Sequence, residues 1–129
     1  KEQVDFSICW RKLSHAAAKT DSSSLEWQAV ADLFIDQSAW VGWRDRYLSR
    51  LQSKPSEAAV KKMISINPKY VLRNHLAEAA IQKSKSGDHS EVETLYKLLQ
   101  APFDEQMQFD HYANLPPDWA AQIEISCSS

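Results

Sequence analysis

Glycine is the scarcest structural residue in this chain: 129 residues hold only Gly42 and Gly87, alone and far apart. A loop that cradles phosphate needs several glycines for tight turns and close backbone approach, and neither G-x-G-x-x-G nor G-x-x-x-x-G-K occurs. A self-contained nucleotide-binding domain of the usual kinds is thereby excluded. Cysteine is equally sparse, with Cys9 and Cys127 at opposite ends. Such a pair makes no disulfide framework and a poor metal site, so a reducing compartment is the default. No apolar run approaches the roughly 18 residues of a membrane helix, and no membrane partner is expected. The opening KEQVDFSICW has no apolar core before its charges recur, which is not the pattern of a secretory signal. Position 1 is Lys, so the chain is expected to be processed or cut from something longer.

Charge of one sign is missing locally rather than overall. The totals, 15 basic and 17 acidic residues, leave a net charge of -2. Residues 44–73 carry Arg44, Arg46, Arg50, Lys54, Lys61, Lys62, Lys69 and Arg73 against Asp45 and Glu57. Residues 101–129 carry Asp104, Glu105, Asp110, Asp118 and Glu124 with no Lys or Arg. A basic stretch and an acidic one can fold together or face a charged partner. No helix-turn-helix or finger pattern accompanies the basic residues, so nucleic acid is not an expected partner.

What the chain does have is apolar material at helical spacing, including five Trp, four Tyr and four Phe. The expected fold is all-α: a single domain over 1–129 in which five to six helices form a compact bundle. Residues 1–101 are its helical body, and 102–129 an irregular Pro- and aromatic-containing tail packed on it. Phe6, Cys9, Trp10 and Leu13 mark the first helix, with Asp5 or Ser7 as cap. Leu25, Ala29, Val30, Leu33 and Phe34 mark the second. Asp36 or Ser38 caps a third, striped by Trp40, Trp43, Tyr47, Leu48 and Leu51. Ser56 caps a fourth with Ala59, Val60, Met63 and Ile64. Asn67-Pro68 reads as the stop of that helix and as the cap and first residue of a fifth, running through Val71, Leu72, His75, Leu76, Ala79 and Ala80 to Gly87. Asp88 with Glu91 reads as a capping box for a sixth helix that buries Val92, Leu95, Tyr96 and Leu99. Residues 118–123 suit a short helical turn, and Ile123 and Ile125 a brief extended end.

Candidate chemistry is thin. His15, His75, His89 and His111 form no H-x-x-x-H or H-E-x-x-H pattern, no C-x-x-C occurs, and no serine sits in G-x-S-x-G. His75 reads as a half-buried packing residue, Asp32 and Asp36 as a solvated edge and a cap, and Cys9 as a small core residue. Cys127, in the Ser-rich S-C-S-S end, is the more reachable thiol. No catalytic, cofactor-binding or metal-ligating residue is nominated in these 129 residues.

Three blocks carry a specific resemblance: Asn67-Pro68-Lys69-Tyr70-Val71-Leu72-Arg73-Asn74, then Pro102-Phe103, then Pro116-Pro117-Asp118-Trp119 leading to Ser126-Cys127-Ser128-Ser129. Val4-Asp5-Phe6, Arg11 through Ser14, and Trp43 through Tyr47 and Leu51 agree in order and spacing. Together they resemble the C-terminal end of the selenoprotein O family (SelO, called YdiU in bacteria), over essentially the whole chain. The resemblance implies a parent of several hundred residues whose larger N-terminal part is protein-kinase-like. It implies transfer of AMP from ATP to Ser, Thr or Tyr hydroxyls of proteins, with Mg or Mn, in the cytoplasm of a bacterium. The family's nucleotide-clamping, metal-binding and catalytic residues would lie upstream, so this fragment itself would hold no cofactor. Its partners would be that kinase-like domain and, for the parent, the substrate proteins.

At the position of Cys127 the family carries Cys or selenocysteine, which can pair with a cysteine of the kinase-like domain under redox control. An exposed thiol near an acidic terminus gains little thiolate stabilisation by itself, so its reactivity would depend on that domain. Lys69, Arg73 and Asn74 are the candidate interdomain or phosphate-facing contacts, because an Arg fork can hold a carboxylate or phosphate bidentately. Packing and hydrogen bonding inside the domain is the alternative for them. For the whole chain, the alternative is a free-standing helical interaction module.

Overall fold

Asp5 starts the first helix: its carboxylate accepts the Ile8 backbone N–H at 3.0 Å, satisfying one of the donors a helix N-terminus leaves over. From there the computed structural model, which describes residues 4–19 and 21–122, is all-α, with no strand among the described residues. Its helices are α1 (Phe6–Ala16), α2 (Leu25–Ala31), α3 (Gln37–Leu51), α4 (Glu57–Ile66), α5 (Asn74–Lys85) and α6 (Ser90–Gln100). Two 3-10 stretches follow, Met107–Ala113 and Asp118–Gln122. The chain divides between Pro68 and Lys69 into two compact units.

The first unit contains α1 to α4, with α1 packed on both α2 and α4. Its core is Cys9, Leu13, Ala16, Trp27, Val30, Ala31 and Trp40, flanked by half-buried Phe34, Trp43 and Tyr47. Full burial of a large apolar side chain contributes about 1.5–3 kcal/mol, and Trp27 is the bulkiest side chain so enclosed. Caps at Asp36 and Ser56 start α3 and α4 where expected. Other expectations fail. Phe6, Trp10 and Leu25 share helical spacing with the core but lie exposed. The second helix stops at Ala31; Gln37 Nε2 donates to the carbonyls of Ala31 and Phe34 there. Leu33 and Phe34 are therefore in the connecting turn, not on a helix face.

Arg11 is almost fully buried in this unit. Its Nη1 donates to the carbonyl oxygens of Ile64 and Asn67 at 3.0 and 3.1 Å, serving the end of α4 where carbonyls have no helical donor. Asn67 joins in: its side-chain amide donates to Met63 O (2.8 Å) and to Ser14 Oγ (3.3 Å). Asn67 thus finishes α4 instead of capping a fifth helix, which corrects the sequence expectation.

The second unit begins with a non-helical strap, residues 69–73, before α5 opens at Asn74. A helix from Pro68 is displaced by better tertiary partners. The backbone N–H groups of Lys69 and Tyr70 both donate to Pro102 O, at 2.9 and 3.2 Å. The Tyr70 ring is buried, and its hydroxyl lies 2.7 and 2.8 Å from the carbonyl oxygens of Glu105 and Gln106. Ala80, Leu95, Leu98 and Tyr112 complete the core, with Leu76, Leu99 and Phe109 beside it. At the end of α5, Gly87 adopts φ +92° and donates to Ser84 O while Asp88 N donates to Lys83 O, the paired bonds of a glycine-terminated helix.

The expected capping box is absent. Asp88 accepts from the Ser90 N–H, whereas Glu91 takes Lys83 on one oxygen and the Tyr112 hydroxyl on the other. The buried face of α6 is also rotated: Leu95 and Leu98 are inside, while Val92 and Tyr96 are exposed.

Candidate functional site

Lys69 leaves the strap toward the acidic segment after α6. Its Nζ meets Asp110 Oδ1 at 2.6 Å, Glu105 O at 2.6 Å and Glu105 Oε2 at 3.1 Å, and sits 5.5 Å from the centre of the Tyr70 ring. Burial opposes this charge, yet the hydrogen bonds to Asp110 and Glu105 outweigh it and hold the ammonium above its ordinary range. The basic stretch and the acidic one therefore do fold together at this point. Lys69 spends its three donors inside its own unit.

Arg73 and Asn74 stand elsewhere. Arg73 is the last non-helical residue before α5, with an extended backbone and its carbonyl accepting from Leu76 and Ala77. The side chains of Arg73, Asn74 and His75 line a cleft of about 580 Å³ whose other wall is Pro116, Pro117, Asp118 and Ala120. Two blocks separated by some forty residues of sequence thus face each other. The cleft holds a guanidinium, a carboxamide, an imidazole and a carboxylate. His75 Nδ1 is enclosed without a hydrogen-bond partner, and Trp119 meets the His75 ring edge-on at 6.1 Å. Burial, then the Arg73 charge, pulls the His75 pKa below its ordinary value, so the ring stays neutral near pH 7. Such a set offers charge and hydrogen bonds to a docking surface. It has no activated nucleophile, and no group of three His, Cys, Asp or Glu suited to a metal occurs among the described residues.

Of the two thiols, Cys9 is buried in the first unit, and burial followed by the nearby Asp5 charge pushes its pKa up. It is a packing residue with little thiolate at neutral pH. Cys127 lies outside the described residues, as do Ile123 and Ile125. Asp32 accepts from Gln28, and Asp36 caps α3.

Sequence spacing did not reveal the roles of Arg11, Glu91, Glu105 and Asp110, because each works through a partner at least 21 positions away. The only available hint was the opposite charge of the two stretches.

A profile of the family described as "Protein adenylyltransferase SelO" matches residues 1–101, well over half of the chain. The chain belongs to the SelO family. Among its relatives, "Protein nucleotidyltransferase YdiU" of Albidiferax ferrireducens is 53% identical over 129 residues, which is 100% of this chain and 25% of that protein. The proteins of the same description from Cupriavidus metallidurans and Aliivibrio salmonicida are 47% and 45% identical, again over 100% of this chain and over 24% and 26% of theirs. The chain thus spans about a quarter of the length of these SelO relatives.

Proposed function

We propose that these 129 residues are the C-terminal helical domain of a SelO-type enzyme that transfers AMP from ATP to protein hydroxyls, and that they support its kinase-like part without performing chemistry. The observation that carries this reading is the cleft where the Arg73-Asn74 block meets Pro116-Pro117-Asp118. Both blocks belong to the resemblance, and together they present a charged surface rather than a reaction centre.

In this reading Arg73 and Asn74 face the kinase-like domain or the phosphates near it, His75 stays neutral behind them, and Lys69 fixes the strap that carries Arg73. ATP and its Mg or Mn ion do not fit the residues of this chain. Two isolated glycines cannot wrap a triphosphate, and among the described residues Asp118 is the single carboxylate lining the cleft. No step of the transfer is assigned to them. Cys127 serves as a redox thiol pairing with an upstream cysteine of the cytoplasmic parent.

Calorimetric titration of this chain with ATP and Mg²⁺ should give no saturable heat; tight, metal-dependent binding would overturn the reading. In the full-length parent, Arg73→Glu should lower AMP incorporation into protein by roughly tenfold while ATP binding is kept, the size expected for reversing a charge at a docking surface. Trapping of Cys127 in that parent should be slower under oxidising conditions, and equal accessibility in both states removes the redox role.

A further inference from the structure

The first unit carries aromatic surface that its own core leaves open. Phe6 is 76% exposed and Trp10 38%, although both lie on α1 beside the core. With Val4, Cys9, Phe34 and Trp43 they line an apolar hollow of about 200 Å³. A second hollow of about 200 Å³ is lined by Trp10, Trp43, Tyr47, Arg46 and Arg50. Trp10 and Trp43 are walls of both, so the two form one groove, aromatic at one end and cationic at the other.

Three of the rings pack against one another. Trp43 stacks on Tyr47 with centres 5.3 Å apart and planes 7° from parallel, and Phe34 lies 6.1 Å from Trp43. Arg44, next to the groove in sequence, is neutralised by Asp45. Among the described residues, no carboxylate lies within ion-pair distance of Arg46 or Arg50. Trp, Tyr and Arg are the side chains that dominate binding energy at protein interfaces, and here they line one hollow. An exposed apolar patch of this kind marks an interaction surface.

We propose that this groove seats a segment of the parent polypeptide outside these 129 residues, with an apolar side chain in the Phe6–Trp10–Trp43 hollow and carboxylates on Arg46 and Arg50. The inference rests on the reading above that the chain is the end of a longer SelO-type protein, and it names the surface by which the rest of that protein is held. Charge selects the occupant's polar end, since two guanidiniums without partners call for two carboxylates. Position selects its source. Val4 lines the hollow, so polypeptide preceding residue 1 leaves within about 10–14 Å of it, given the reach of roughly 3.3–3.6 Å per residue. A covalently tethered segment binds at high effective concentration, so a groove of this modest size is enough. About three-quarters of each relative's length lies outside the match and can supply it. A nucleic acid, with phosphates on the arginines and a base on Trp43, is the competing occupant. Two cations on a chain of net charge -2 favour it less.

The test places the photo-crosslinking residue p-benzoylphenylalanine at position 6 of the full-length parent, where an aromatic ring already stands exposed. Peptide mapping should find the cross-link on an acidic segment outside residues 1–129 of the same molecule. The Arg46→Glu/Arg50→Glu double variant should lower its yield by roughly tenfold, from two surface ion pairs worth a few-fold each. Arg46→Gln/Arg50→Gln, which introduces no new charge, should lower it by a smaller factor. A cross-link inside residues 1–129, to a second polypeptide or to nucleic acid overturns the proposal, as does a yield no better than with free benzophenone. A cross-link that survives both double variants overturns it too. These outcomes are independent of AMP transfer, so a parent inactive as a transferase would sink the functional reading while leaving the groove's occupant to be read from the cross-link.

Discussion

Replacing Lys69 by Met removes the charge at the centre of the second unit while keeping an unbranched apolar stem. The Lys69 side chain is only 13% exposed, whereas Glu105 and Asp110 are 50% and 62% exposed. Each ion pair is therefore well screened and contributes only about 0.5 kcal/mol. The charged donor to the Glu105 carbonyl is stronger, about 1.5 kcal/mol, and the cation near the Tyr70 ring adds about 0.5 kcal/mol. Releasing the ammonium from partial burial and from one fixed rotamer returns about 1 kcal/mol. The net loss is about 2 kcal/mol, which raises the open population of the strap roughly thirtyfold.

Hydrogen–deuterium exchange read by mass spectrometry measures this directly. Peptides covering 69–73 and 102–113 should exchange about thirtyfold faster in the Lys69→Met variant, while peptides within Phe6–Ala31, which hold no part of the clamp, serve as reference. Equal protection in wild type and variant would refute the assignment of Lys69 as a clamp. Alkaline titration gives an independent check. The folded-state pKa of Lys69 is raised, so its contribution is complete below the ordinary lysine value near 10.4 and disappears as pH climbs through the higher folded value. The Met variant should lack that alkaline loss.

Trp27→Phe should cost about 1–2 kcal/mol in urea unfolding against about 3–5 for Trp27→Ala, because Phe also removes an indole N–H that is buried without a partner; equal costs would contradict this. Gly87→Ala should lower the melting temperature by several degrees, about 1 kcal/mol, through backbone strain alone: φ is +92° and the site is open to a Cβ. An unchanged melt would show that the turn relaxes. For His75 the folded pKa is depressed, so stability is full above the ordinary histidine value near 6.5 and declines as pH falls through it, the unfolded chain taking up the proton first. His75→Gln should flatten that part of the melting-temperature profile, and superimposable profiles would dismiss the effect.

The legible parts of the fold were those decided within a few residues. Asp5, Asp36 and Ser56 were readable as helix starts because a cap acts on N–H groups two or three positions ahead. Gly87 was readable because a left-handed residue after a helix favours glycine. Decisions made at long range were not legible. The exposure of Phe6 and Trp10 and the rotation of α6 away from Val92 depend on which face a neighbour covers, and an apolar stripe wide enough to be ambiguous does not state that. The cleft was half visible. Arg73 and Asn74 could be named from their block and Pro116 to Asp118 from theirs, but nothing in a single sequence joins them.

The strap shows why local and distant signals part company. As helix residues, Pro68 to Arg73 would satisfy their hydrogen bonds among themselves, and Asn67-Pro68 is a good local start for that. In the structure Asn67, Lys69 and Tyr70 each have a better use elsewhere. Asn67 closes α4 and reaches Ser14, the Lys69 and Tyr70 amides take Pro102 O, the Tyr70 ring enters the core, and Lys69 binds two carboxylates. A helix advances only 1.5 Å per residue, and the non-helical backbone of 69–73 is free of that limit. That geometry lets Lys69 turn to the acidic segment and Arg73, a few residues on, open α5 at the cleft. A helix here would set residues four apart on one face and crowd both cations onto the same surface. The sacrifice of a locally favoured helix is therefore the step that separates Lys69, which binds the acidic segment, from Arg73, which lines the cleft.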